Sequence, residues 1–292
     1  MSLENSYTIL ARSCFIKKAK LTEQPTTEYI KKEASVPSIP KQLIFSSVLL
    51  ALSVSQVTLS EEQPSDFTYS ANVGFYSDYI FRGYTQTDSK PAVQGGFDLN
   101  HKSGAYVGTW SSNVDWTVQG DYMSQSSAEF DFYGGLARTL GPVDYDIGVL
   151  QFYYPGDNIS STAETNATEA YIGFSKDFEI FNASFYFYNV LSDDAWGFAD
   201  AQGSQYYSLD IDVPIGKTPV TGTFHVGNTQ FEGDGNAQYD YSDWKISLDY
   251  TINQTFNVGA FYTDTDQEES IWTVDGNFLG DYQFGGYLSA SF

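Results

Sequence analysis

From Phe67 to the end of the chain, apolar and polar residues alternate with a period of two. Phe67, Tyr69, Ala71, Val73 and Phe75 are interleaved with Thr68, Ser70, Asn72 and Gly74, the signature of a strand with one greasy and one polar face. Twelve such runs follow one another: 67–81, 92–101, 104–113, Ala128–Thr139, Val143–Tyr154, Thr168–Phe174, Phe181–Leu191, Gln205–Val213, Val220–Thr229, Ser242–Ile252, Phe256–Thr263 and Tyr282–Phe292. Each is close to the roughly 9–11 residues that a tilted membrane strand needs.

The connections carry stronger information. Those at 82–91, 114–127, 155–167, 192–204, 230–241 and 264–281 are long and polar. Those at His101–Gly104, Leu140–Pro142, Ser175–Ile180, Pro214–Pro219 and Asn253–Thr255 are short. A soluble sandwich has no reason to alternate long and short so regularly, whereas an outer-membrane barrel has short periplasmic turns and long outer loops. In hydrocarbon every backbone N–H and C=O needs a partner, so an all-strand chain crosses only by closing on itself. The expected fold is all-β: a single transmembrane up-and-down antiparallel β-barrel of about 12 strands.

Parity then sorts the side chains. Phe130 and Phe132, Ile147 and Val149, Phe185 and Phe187, and Ile246 and Leu248 are expected to face lipid. Glu129, Asp131, Asp144, Asp146, Asp210, Asp212, His225, Asp243, Lys245 and Asp249 are expected to face inward. Burying an unpaired carboxylate costs several kcal/mol, so water is expected to reach these acids. Tyr76, Tyr79, Trp110, Tyr153, Tyr154 and Trp244, near strand ends, suit interfacial aromatic girdles. Eight strands leave a filled interior and 16–18 an aqueous channel; twelve lie between, with Tyr186, Tyr188 and infolded loops available to block the lumen.

Composition supports interleaving over apolar runs: aromatic and charged residues are 17% each, yet mean hydropathy is −0.30. The formal net charge of −23 is unevenly spread. Seven of the 14 basic residues precede residue 42, and 33 of the 37 acids follow residue 60. Such a body repels nucleic-acid phosphates and attracts cations. The one cysteine, Cys14, offers no disulfide framework.

Residues 1–60 read as an extension plus a secretory signal: Lys41, an apolar run from Leu43 to Leu52, then small residues to Ser60. The run is short for a membrane-spanning helix, although an anchor or a buried helix is the alternative. Residues 61–292 would then form the barrel. Its last run, with Phe292 terminal, resembles the closing strand of bacterial outer-membrane proteins, which the barrel-assembly machinery recognises.

The residues Ser77–Asp78–Tyr79, Phe81–Arg82–Gly83, Gln86 and Lys90–Pro91–Ala92–Val93–Gln94–Gly95–Gly96–Phe97, with Ser103–Gly104–Ala105–Tyr106–Val107–Gly108 and Ser112–Asn113–Val114–Asp115, resemble the Gcw_chp family of exported proteobacterial proteins, also called TorF-family porins. The likeness is dense over about 70–116 and looser to Phe292. It implies an outer-membrane barrel in a Gram-negative bacterium, regarded as a porin without an assigned substrate, and it carries over no functional residue.

Several residues bear chemistry. Arg82, at the outer end of the first run, is expected to bind an anionic solute or lipopolysaccharide phosphate, or to pair with a loop carboxylate and fix that loop. Asp264, Asp266, Glu268 and Glu269 look like calcium ligands, but an EF-hand counted from Asp264 needs Gly where Glu269 stands and Glu where Asp275 stands. Loose divalent bridging to lipopolysaccharide is the alternative. His101 and His225 lack zinc-site spacing, and a lipase would need a Ser and a His that converge in space. The expected function is therefore non-enzymatic, with no cofactor: passive diffusion of small solutes, with a cation preference from the inward acids. The alternative is a non-conducting surface protein whose acidic loops bind lipopolysaccharide, divalent metal or another cell.

Overall fold

The computed structural model describes residues 65–159 and 163–292; the expected signal segment and its apolar run lie outside them. Twelve strands make the wall: β1 Phe67–Tyr76, β2 Ala92–His101, β3 Ala105–Asn113, β4 Ala128–Leu140, β5 Val143–Tyr153, β6 Ala167–Asp177, β7 Asn182–Val190, β8 Gln205–Pro214, β9 Val220–Gln230, β10 Tyr241–Thr251, β11 Phe256–Thr265 and β12 Gln283–Ser291. Each pairs antiparallel with its neighbours in chain order, and β12 pairs with β1 to close the barrel.

Closure runs through the last residue. Val73 faces Ala290 and Asn72 faces Ser291, and Phe292 exchanges backbone hydrogen bonds with Ala71 at 2.9 and 3.2 Å. No strand edge of the wall is therefore left with unpaired amides, which is the condition for standing in hydrocarbon.

The alternation lies as the sequence predicts. Phe75, Val93, Phe97, Val107, Phe132, Val149, Phe174, Phe185, Phe224, Leu248, Phe284 and Leu288 are exposed on the outer face. An apolar outside on a polar-lined barrel inverts the usual globular arrangement, and such a continuous exposed apolar surface marks contact with lipid.

The inner face is built from tyrosine and glycine in register. Gly108 stands opposite Tyr133 and Gly135 opposite Tyr106, Gly148 opposite Tyr171, Gly173 opposite Tyr186 and Gly259 opposite Tyr287. In each pair the tyrosine ring occupies the space that a Cβ on the glycine would need. The rings are thus laid over bare backbone of the adjacent strand, the aromatic cover that shields a glycine within a sheet.

Candidate functional site: the barrel interior

All ten inward residues singled out from the sequence do stand on the inner face, but they fall into two tiers. Asp144, Asp146, Asp210, Asp212 and Asp249 lie toward the short turns; Glu129, Asp131 and Asp243 lie toward the long loops, with His225 and Lys245 between. Sequence reasoning passed over Asp98 and Glu169, although their parity with Gly96 and Tyr171 would have placed them inside.

In the turn-side tier each acid has a hydroxyl or ring partner. Tyr133 donates to Asp98 at 2.6 Å, Tyr106 to Asp146 at 2.6 Å and Thr223 to Asp212 at 2.6 Å. The Tyr106 and Tyr171 hydroxyls also meet. Asp144 accepts from Thr139, and Asp249 from Ser247 at 3.4 Å. His225 Nδ1 lies 2.8 Å from Asp210, and its Nε2 lies 3.0 Å from Asp243 and from the Tyr206 hydroxyl. Lys245 Nζ sits 5.9 Å from the centre of the Phe261 ring.

The loop-side tier is governed by loop 1, residues 77–91, and here the structure departs from expectation. The first strand stops at Tyr76 rather than continuing to Phe81, and the chain turns into the barrel. Ile80–Phe81 pairs with Tyr84–Thr85, with Arg82 and Gly83 at the turn, φ 46° and 88°. Positive φ at both central residues is the type I′ requirement of a two-residue hairpin. Asp78 anchors its base: the Thr85 and Thr87 hydroxyls each lie 2.7 Å from its Oδ1. Burial pushes the Asp78 carboxyl up to about 6, against the lowering effect of those hydrogen bonds.

The hairpin crosses the lumen from wall to wall. At one side the Tyr79 hydroxyl donates to Glu129 of β4 at 2.9 Å. At the other, the turn at Gly83 abuts Asp243 of β10 and Thr265 of β11. β4 and β10 are six places apart in the ring of twelve strands, so the two contacts lie on opposite walls.

Arg82 is not at an outer rim. It is 5% exposed, and its Nη2 donates to both oxygens of Glu169 at 2.8 and 2.7 Å. Its partner is a wall carboxylate inside the barrel, not a loop acid or an outside anion. The guanidinium carbon lies 4.3 Å from the Tyr206 ring centre, 5.4 Å from Tyr188 and 5.5 Å from Trp196. The fit explains why a non-glycine residue is tolerated at positive φ: surrounding contacts over-determine the conformation.

Water does not reach the loop-side acids. Glu129 is 1% and Asp131 0% exposed, and neither Asp131 oxygen has a hydrogen-bond partner. The expectation of solvated acids fails there because loop 1 and its aromatic side chains fill the space. Above them Phe231, Tyr241 and Trp272 pack with Tyr84, Phe198 and Tyr239, so loop 1, loop 4 (residues 191–204), loop 5 (231–240) and loop 6 (266–282) seal the mouth together.

The girdle assignment also needs correction. Tyr153 and Trp244 do face outward, whereas Tyr79 and Tyr154 are buried, Tyr76 stacks on Tyr287 and Trp110 packs edge-on against Tyr79. Tyr76 and Trp110 have inward parity, and loop 1 accounts for Tyr79. The four acids of the last loop do not converge. Asp264 accepts from Tyr262, Asp266 from the Ser242 backbone, and Glu268 from Ser270; Glu269 begins a one-turn helix. Among the described residues no cluster of three or more such side chains could hold a metal ion.

A model of bacterial proteins of unknown function, Gcw_chp, matches residues 60–292. The chain belongs to the Gcw_chp family. No curated protein matches it. Among solved structures it is similar to an outer-membrane channel of Pseudomonas putida F1, with 10% identity over 80% of this chain and 99% of that one, at a TM-score of 0.47. It is also similar to the outer-membrane protein Omp33 of Acinetobacter baumannii, with 11% identity, 77% and 97% coverage and a TM-score of 0.41. An anion-selective porin of Comamonas acidovorans gives 10% identity, 77% and 99% coverage and a TM-score of 0.37.

Proposed function

We propose that this Gcw_chp protein is an outer-membrane channel for small solutes, cation-preferring, and shut in this conformation by loop 1. The supporting observation is the inner wall of the turn-side half. Asp98, Asp144, Asp146, Asp210, Asp212 and Asp249 project there from four strands, and among the described wall residues the one Lys or Arg of inward parity, Lys245, stands between the tiers. A wall lined by one sign of charge, with low-dielectric surroundings, concentrates counter-ions. A barrel serving only as a membrane anchor has no need of it.

The different reading, a non-conducting surface protein, draws support from the packed mouth. It also draws on an open depression of about 480 Å³ at the loop end, lined by Glu164, Asp193 and Asp194 among others. Planar-bilayer recordings separate the two. Protein with residues 80–85 replaced by a short linker should give stable unit steps with cation preference, and the wild type should open rarely. Asp210→Asn with Asp212→Asn should shift the reversal potential toward zero. Silence from the folded, loop-shortened protein would favour the surface role.

A further inference from the structure

We infer that the barrel wall carries a binding site for a guanidinium group, filled in this conformation by the chain's own Arg82. The site belongs to the wall and loop 4, not to loop 1. Glu169 comes from β6, Tyr188 from β7 and Tyr206 from β8, three consecutive strands, and Trp196 closes the side.

The aromatic members have supports independent of Arg82. The Tyr206 hydroxyl lies 3.0 Å from His225 Nε2, Tyr188 packs against Tyr171 and Tyr206, and Trp196 packs edge-on against Phe152 and donates its backbone N–H to Thr165. If the hairpin withdraws, these rings stay and Glu169 loses the partner of both its oxygens. A carboxylate among aromatic faces then favours a planar, weakly hydrated cation that can make two hydrogen bonds and stack, over a strongly hydrated metal ion. Arg82 is in this sense a tethered ligand, and a solute of the same chemistry competes with it.

The inference rests on loop 1 being a movable closure, but binding is measurable without conduction. Full-length Arg82→Ala, shown to be folded by heat-dependent electrophoretic mobility, is titrated with methylguanidinium at constant ionic strength and followed by calorimetry. Saturable binding is expected, at least tenfold weaker in R82A/E169Q, with no matching signal from sodium. Absence of saturation in folded R82A, or equal binding by the double variant, would overturn the site. Should R82A not fold, Arg82→Gln, which keeps most of the side-chain volume, takes the same titration. Binding with silent bilayers would retain the site and remove the channel.

Discussion

A Cβ placed on Gly83 would lie 2.5 Å from the Cβ of Asp243, on the wall opposite the one where loop 1 is tied to Glu129. The backbone there has φ 88°, so a side chain is opposed both by the far wall and by its own conformation. Overpacking costs about 1–3 kcal/mol, and roughly 1 kcal/mol more comes from the left-handed backbone. If the barrel conducts as proposed, Gly83→Ala should therefore raise its open fraction at least tenfold in bilayer recordings. An unchanged open fraction would mean that the tip does not hold the closed state.

Gly173 faces Tyr186 directly in the sheet, and the tyrosine ring fills the space of the missing side chain. Gly173→Ala must push that ring off the wall, into an interior already packed around Tyr171 and Tyr188. The barrel should lose about 1–3 kcal/mol of stability in denaturant titrations. Gly141, at a turn with φ 64° and no atom near its Cβ position, is a useful contrast: Gly141→Asn should cost less, since Asn tolerates that backbone region.

Asp78 gives loop 1 a pH dependence. Its carboxyl sits near 6 when the loop is inserted and near 3.8 when it is free. Between those values the inserted state binds more protons, so its stability falls as pH rises from about 4 to about 6 and is flat above. Under the proposed function, acidification from pH 7 to pH 4.5 should shut the barrel further. Asp78→Asn should abolish that part of the response; a wild-type open fraction that grew on acidification would refute the sign.

Asp131 is fully buried with both oxygens unpartnered, whereas nearby Glu169 is paired with Arg82. Removing a buried polar group that has no partner relieves its desolvation cost, about 1–3 kcal/mol. Asp131→Leu should therefore raise stability in a denaturant titration, whereas Arg82→Leu, which strands Glu169, should lower it by a similar or larger amount. Two losses would show that Asp131 has a partner in the folded barrel.

The chain's alternating pattern was sufficient for the wall. Period two assigns each side chain to lipid or lumen without knowledge of any contact, so Phe132 and Asp131 were sorted correctly, as were the rhythm of long and short connections and the closing role of Phe292. A sheet's faces depend only on local backbone geometry, and that is why they are legible in a linear string. Loop 1 was not legible in this way. Extended alternation carries Tyr79 and Phe81 into the first strand, and nothing local announces that the chain turns inward after Tyr76. That turn is decided by partners distant in sequence: Glu169 for Arg82, Glu129 for Tyr79, and the space beside Asp243 for Gly83. Only closing the barrel brings those walls within reach of one hairpin, so the sequence alone determined that there is a lumen, and the tertiary structure decided that it is occupied.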